Sequence, residues 1–242
     1  MRALLRRFRQ APAPRSDSPV RSISRTHVGS VRAVNEDRVL DNADSRLWVV
    51  ADGMGGQARG DVAAQTVIGC LSALTGSIGP EQLDAALERA NREIYEMSGG
   101  ASGTTLVLLH IDGGIATIRW AGDSRAYLVR NERLKLLTRD HSVVQELLEA
   151  GLVDADQAAH HPQANVITRA LGIAPKPNLE TITVALERAD CVLLCSDGLS
   201  RTLDERDVQG WPTITDLADR LLTNSLQRDG SDNTSLVLIE VI

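Results

Sequence analysis

Apolar runs in this chain are short, and several stop on an acidic residue beside glycine. Trp48-Val49-Val50-Ala51 runs into Asp52-Gly53-Met54-Gly55-Gly56, and Val192-Leu193-Leu194-Cys195 runs into Ser196-Asp197-Gly198. The run around Trp120 leads into Gly122-Asp123-Ser124-Arg125, while Asp232-Asn233 precedes the last apolar run and Asn35-Glu36-Asp37 stands ahead of the first. Runs this short suit buried strands. A bare carboxylate at the end of such a strand is costly to desolvate unless it is paired or bound to metal. Several of them meeting at one sheet edge would repel one another. A hard divalent cation relieves that, because Mg²⁺ and Mn²⁺ take oxygen ligands from carboxylates, carbonyls and water.

With 242 residues the chain suits one large domain or two small ones. Its net charge of −6 and the lack of a basic stripe exclude nucleic acid as the main ligand. Aromatic residues make up 2%, and the sole Phe is Phe8, so the core is built from Leu, Val, Ile and Ala. Cys70, Cys191 and Cys195 lie in helix-like or strand-like apolar segments and read as buried reduced thiols, with no zinc-ligand spacing. No apolar stretch approaches the roughly 20 residues that span a bilayer, and no secretory signal is present. A cytoplasmic protein without a stable membrane span is expected.

Residues 1–20 differ from the rest. Arg2, Arg6, Arg7 and Arg9 precede Ala11-Pro12-Ala13-Pro14. The segment reads as a disordered basic leader and linker, although Leu4, Leu5 and Phe8 would share one helix face suited to a membrane surface or a partner. From residue 21 to 242 a single domain is expected. Strands are predicted at 47–51, 105–111, 115–121, 125–129, 180–186, 191–195 and 235–241. Helices are predicted at 62–74, 80–97 and 215–227, and a capping box at Ser142-Val143-Val144-Gln145 opens another that runs to Ala150. Hairpins outnumber strand–helix alternations, which indicates a layered α+β domain with much antiparallel sheet.

Taken singly, each carboxylate has an ordinary reading. Asp112-Gly113 and Asp229-Gly230 read as turns. Asp52-Gly53 and Asp197-Gly198 stand at strand ends, where turn and metal ligand remain open alternatives. Asp123 reads as a turn or a partner of the nearby Arg125, Asp232-Asn233 as a turn, and Glu36-Asp37 as a solvated acidic spot that Arg32 would pair. Their joint occurrence in this order is what changes the reading.

Val28-Gly29-Ser30-Val31-Arg32-Ala33-Val34-Asn35-Glu36-Asp37, the Asp52–Gly56 loop, Ser102-Gly103-Thr104-Thr105, Gly122-Asp123-Ser124-Arg125, Arg139-Asp140-His141-Ser142, Ser196-Asp197-Gly198 and Asp232-Asn233-Thr234-Ser235 form an ordered series. It resembles the metal-dependent serine/threonine protein phosphatases of the 2C type (the PPM family), and most closely their bacterial branch. The resemblance covers the chain from about Thr26 onward. It implies a four-layer α-β-β-α sandwich of two mainly antiparallel sheets flanked by helices. It implies a centre of two Mn²⁺ or Mg²⁺ ions, with Asp52 bridging both, the Gly53 carbonyl binding one, and Asp197 and Asp232 holding the other. Asp123 would help Asp197 hold a third, weaker ion. Glu36 and Asp37 would position water from the outer shell, and Arg32 would clamp the substrate phosphate.

The activity so implied is hydrolysis of phosphoserine and phosphothreonine in proteins, opposing a cognate Ser/Thr kinase, with a monomer as the expected state. The alternative is a catalytically silent phosphatase-like binding module, disfavoured by the intact Asp52, Asp197, Asp232 and Arg32. Met54 stands where many eukaryotic relatives carry a histidine that is a candidate general acid. This leaves a water or, less favoured, His141, whose preferred role is a loop-stabilising hydrogen bond. The resemblance also implies a flap beside the active site at about residues 141–172.

Overall fold

The computed structural model describes residues 19–55 and 59–242. Of the expected leader, residues 1–18 lie outside the described residues, and the first strand is β1 (Val20–His27). There follow β2 (Asp37–Asn42), β3 (Leu47–Gly55), α1 (Gly60–Ser72), α2 (Pro80–Ser98) and β4 (Ser102–Thr104). A meander comes next, with β5 (Leu106–Asp112), β6 (Ile115–Ala121), β7 (Arg125–Arg130) and β8 (Arg133–Leu136). Two short helices, α3 (Val143–Glu149) and α4 (Ala155–Ala159), precede β9 (Glu180–Ala185) and β10 (Cys191–Cys195). The chain closes with α5 (Asp197–Ser200), α6 (Ile214–Arg228) and β11 (Thr234–Val241).

Every strand pair is antiparallel. One sheet runs β1-β11-β10-β7-β8, and the other runs β2-β3-β5-β6-β9 with β4 added beside β3. The two sheets face each other, and the side-chain alternation of a strand explains why the central runs are apolar on both faces. In β3, Trp48 and Val50 turn inward against Val192, Leu194 and Val237 of the opposite sheet. Leu47 and Val49 turn outward onto Val67 and Leu71 of α1 and Leu83 and Leu87 of α2. Leu193 and Leu238 do the same on the far side, against Leu217 and Leu221 of α6. The four-layer α-β-β-α sandwich is therefore present. No helix among the described residues is long and apolar enough to cross a membrane.

Local signals account for most boundaries. Pro80 sits in the first turn of α2, and Gly99, at φ 59°, ends that helix in the left-handed conformation. The Ser142 hydroxyl accepts the Gln145 N–H and so caps α3. The predicted box is only half formed, because the Gln145 side chain donates forward to Glu149 rather than back to the cap. Strands β1, β2 and β8 escape the apolar pattern, since all three are sheet edges and carry exposed Arg or Asp. Strand β3 outruns its predicted end at Ala51, because β4 pairs with it through Gly53 opposite Thr104.

Candidate metal and phosphate site

The space between the sheets changes character at one edge. Continuing the alternation of β3 beyond Val50 places Asp52 on the inward face, directly opposite Asp37 of β2. Around this pair the inter-sheet layer becomes polar. Asp52 N–H donates to Thr105 Oγ1 at 3.1 Å, and Thr105 Oγ1 lies 2.7 Å from Ser124 Oγ. Ser196 Oγ donates to Asp37 Oδ2 at 2.8 Å and accepts the Ser235 N–H at 3.0 Å. Hydroxyls from four strand ends thus replace the aliphatic side chains of the core.

Loops bring up the remaining groups. Asn233 accepts the Glu36 N–H at 2.7 Å and donates to the carbonyls of Val28 (2.9 Å) and Val34 (3.0 Å). One side chain thereby fixes both limbs of the 28–36 loop, which presents Arg32 and Glu36. Gly29 has φ +82°, and a Cβ there would overlap the Asp232 carbonyl, so this loop needs glycine to approach so closely. At Gly53 a Cβ would overlap the Gly60 carbonyl, which brings the start of α1 against the end of β3 beside Glu36. The result is an open cleft of about 630 Å³ lined by Arg32, Glu36, Asp52, Gly53, Asp123, Asp197, Arg201 and Asp232, among others.

Every predicted site residue except Asp37 lines this cleft. Asp37 lies just beneath, 2% exposed. Arg32 pairs with Asp232 (Nη2–Oδ2 2.9 Å), not with its sequence neighbour Glu36. Asp123 is not paired by Arg125 either, for that guanidinium forms a two-pronged bridge to Asp140. His141 is off the cleft wall. It stacks on Trp120, accepts the Gly122 N–H through Nδ1, and meets Glu180 through Nε2 at 3.2 Å. Glu180 is held in turn by Arg139 and Arg169. Two roles in the cleft escaped the sequence reading: Asn233, expected as part of a turn, organises the loop, and Arg201 bridges to Asp197 and lies 3.7 Å from Asp232.

Crowding of carboxylates is visible in their proton affinities. Burial, and then the charges of Asp37, Asp197, Asp123 and Asp232, push the Asp52 carboxyl well above its ordinary range. Burial raises Asp37 to about 6 against the opposing hydrogen bonds from Ser235 and Ser196. Burial, with Asp197 and Asp140 nearby, raises Asp123 to about 7, and burial also raises Asp197. Asp37 Oδ1 and Asp197 Oδ1 are buried with no hydrogen-bond partner. Buried oxygens left unpaired beside repelling carboxylates are a donor set that a hard cation satisfies. As the side chains stand, no three acidic, His or Cys groups among the described residues converge tightly enough to hold a metal ion. Arg32 and Arg201 serve as the counter-charges instead.

A two-sheet sandwich whose edge gathers hard-oxygen donors beside an exposed arginine defines the class, that of a cation-dependent hydrolase of anionic esters. The family description "Protein phosphatase 2C" matches residues 25–236, and the chain belongs to that family. The serine/threonine phosphatase stp of Listeria monocytogenes is 36% identical over 236 residues, which cover 89% of this chain and 94% of that protein. PppA, described as a key regulatory component of the T6SS in Pseudomonas aeruginosa, superposes with a TM-score of 0.84 at 36% identity over 94% of this chain and 100% of its own. The serine/threonine protein phosphatase PstP of Mycobacterium tuberculosis is 38% identical over 92% of this chain and 45% of its own length. The catalytic domain of a PstP, solved with two manganese ions, superposes with a TM-score of 0.80 at 35% identity, over 92% of this chain and 98% of its own.

Proposed function

We propose that the chain hydrolyses phosphoserine and phosphothreonine in phosphoproteins, using two divalent cations, Mn²⁺ or Mg²⁺, in the carboxylate-lined cleft. The observation that carries this reading is the pair of buried, unpartnered oxygens, Asp37 Oδ1 and Asp197 Oδ1, beside Asp52 and within the same edge as Arg32. The two manganese ions of the related PstP catalytic domain support the cation count. In this assignment Asp52, the Gly53 carbonyl, Asp197 and Asp232 would hold the two ions, and Asp123 with Asp197 would hold a third, weaker one.

Bound cations would supply a nucleophilic hydroxide near neutral pH and neutralise charge on the phosphoryl group. The chain's own residues do the rest. Asp52 and Asp37 are held in register across β2 and β3, so the donor set is built on rigid strands. Glu36 and Asp37 accept hydrogen bonds from water and orient it. Arg32, half exposed on its pinned loop, turns from Asp232 to grip the phosphoryl oxygens with a planar fork. No covalent intermediate is required, in keeping with three buried free cysteines.

A Ser/Thr kinase is the implied source of the phosphoproteins, and a monomer in the cytoplasm is the simplest setting; light scattering of the purified protein tests the first of these two states. Hydrolysis of a phosphothreonine peptide and of p-nitrophenyl phosphate with Mn²⁺, Mg²⁺ or chelator, alongside Asp52→Asn, tests the activity. Turnover that needs metal and is lost in the variant is expected. Absence of turnover from folded, metal-loaded protein would sink the proposal and leave a silent binding module.

A further inference from the structure

Resting on the phosphatase reading, we propose that Arg201 is a specificity-determining residue, a second guanidinium that receives an anionic group flanking the scissile phosphate in the substrate. Arg201 caps the C-terminal end of α5, its N–H donating to the Asp197 carbonyl at 3.0 Å, so its backbone is fixed independently of the 28–36 loop. Its side chain is 34% exposed and lines the same cleft wall as Arg32. Both guanidiniums approach one oxygen, Asp232 Oδ2, from Arg32 at 2.9 Å and from Arg201 at 3.7 Å. Two anions held by this pair therefore lie as close as neighbouring groups on one peptide.

Charge decides what Arg201 is for. Among the residues that line the cleft, Arg32 and Arg201 are the cations, against the carboxylates of Glu36, Asp52, Asp123, Asp197 and Asp232. A single planar fork already matches a phosphoryl group bidentately, and Arg32 supplies it. The carboxylate field otherwise repels an acidic peptide, and Arg201 reverses that field locally. Metal bound to Asp197 and Asp232 would compete for the counter-charges that Arg201 now faces, which would leave its guanidinium for an anion of the substrate. The complementary substrate feature is an acidic side chain or a second phosphate one or two residues from the phosphothreonine.

The test is a ratio of kcat/KM values on metal-loaded enzyme. Three phosphothreonine peptides differ at one adjacent position, which carries alanine, glutamate or a non-hydrolysable phosphonate. The wild type should favour an anionic neighbour over alanine by about fivefold, the scale of one exposed charge pair. Arg201→Gln should bring that ratio to about one, and Arg201→Lys should keep most of it, which separates charge recognition from a structural role at the helix end. Preference for the phosphonate alone assigns the partner as a second phosphate, and preference for both assigns any anion. A wild-type ratio of one, or the same ratio in Arg201→Gln as in wild type, overturns the proposal. Failure of the wild type to hydrolyse the alanine peptide would count against the phosphatase reading itself.

Discussion

Asn233 and Glu36, from opposite ends of the chain, are joined by a 2.7 Å hydrogen bond from the Glu36 N–H to the Asn233 side-chain oxygen. The same amide donates to Val28 and Val34, so one residue ahead of β11 holds the loop that carries Arg32. Asn233→Ala should lower stability by about 2–3 kcal/mol, since it leaves three backbone groups without their partner. It should also raise KM more than it lowers kcat, because the phosphate clamp loses its anchorage. Urea denaturation and steady-state kinetics on one preparation check both.

Asp52 occupies the inward face of β3 opposite Asp37. Asp52→Asn should keep the fold, as it preserves volume and removes a charge that burial disfavours. Turnover should fall by more than about 100-fold, beyond the loss typical of residues that merely support metal ligands. Calorimetric titration with Mn²⁺ should show weakened binding. Unchanged affinity would remove Asp52 from the proposed ligand set.

The raised carboxyls set a pH dependence in metal-free protein. Asp123 titrates at about 7 in the folded chain and near 3.8 when unfolded. Below the lower value both states are protonated and Asp123 costs nothing. Between the two values the unfolded chain ionises while the folded chain does not, so stability falls as pH rises. Asp123→Asn removes this loss. Its melting temperature under chelator, relative to wild type, should therefore climb from pH 4 to pH 7, and added Mn²⁺ should shrink the difference. A difference independent of pH would contradict the assignment.

His141 ties Gly122 to Glu180, and through Glu180 to Arg139 and Arg169. Its own pKa is lowered, first by burial, so the neutral ring is favoured. His141→Ala should lower stability by about 1–3 kcal/mol through a lost stack on Trp120 and unpaired buried polar groups. In a domain of this size, that corresponds to a drop of a few degrees in thermal midpoint for each kcal/mol. Since His141 is off the cleft wall, the pH profile of kcat should keep its shape. A lost acidic or basic limb would instead mark His141 as a proton donor or acceptor.

Burial pushes the Cys195 thiol up to about 12 and the Cys191 thiol higher still. Neither should react with a thiol reagent until the protein unfolds. Full alkylation of accessible thiols should therefore leave phosphatase turnover intact. Inactivation that tracks modification of Cys191 or Cys195 in folded protein would contradict a metal-only mechanism.

Much of the molecule can be read from local pattern. The Trp48–Ala51 run is apolar at consecutive positions because β3 is covered on both faces, by the opposite sheet and by α1 and α2. The tight packing at Gly53 and Gly29 is seen only in the fold, where a Cβ at either position has no room. Edge strands β1 and β2 are less legible, as half-exposed strands mix Arg, Ser and Asp into an incomplete alternation. Arg201 gives no sequence signal at all, because an arginine after a short helix is ordinarily a solvated one.

By itself, then, the amino-acid order determines which apolar runs form the central strands, where the longer helices lie, and which carboxylates stand at strand ends. Those properties depend on spacing over a few residues and on conformational preference. Which charges meet was decided by the tertiary structure alone. Arg32 pairs with Asp232 instead of Glu36, and Arg125 with Asp140 instead of Asp123. Asp37 faces Asp52 only because β2 and β3 adopt one register, and a slip of one residue would turn each carboxylate to the other face. Contacts between chain segments so far apart are fixed by sheet register and loop path, which no local window of sequence contains.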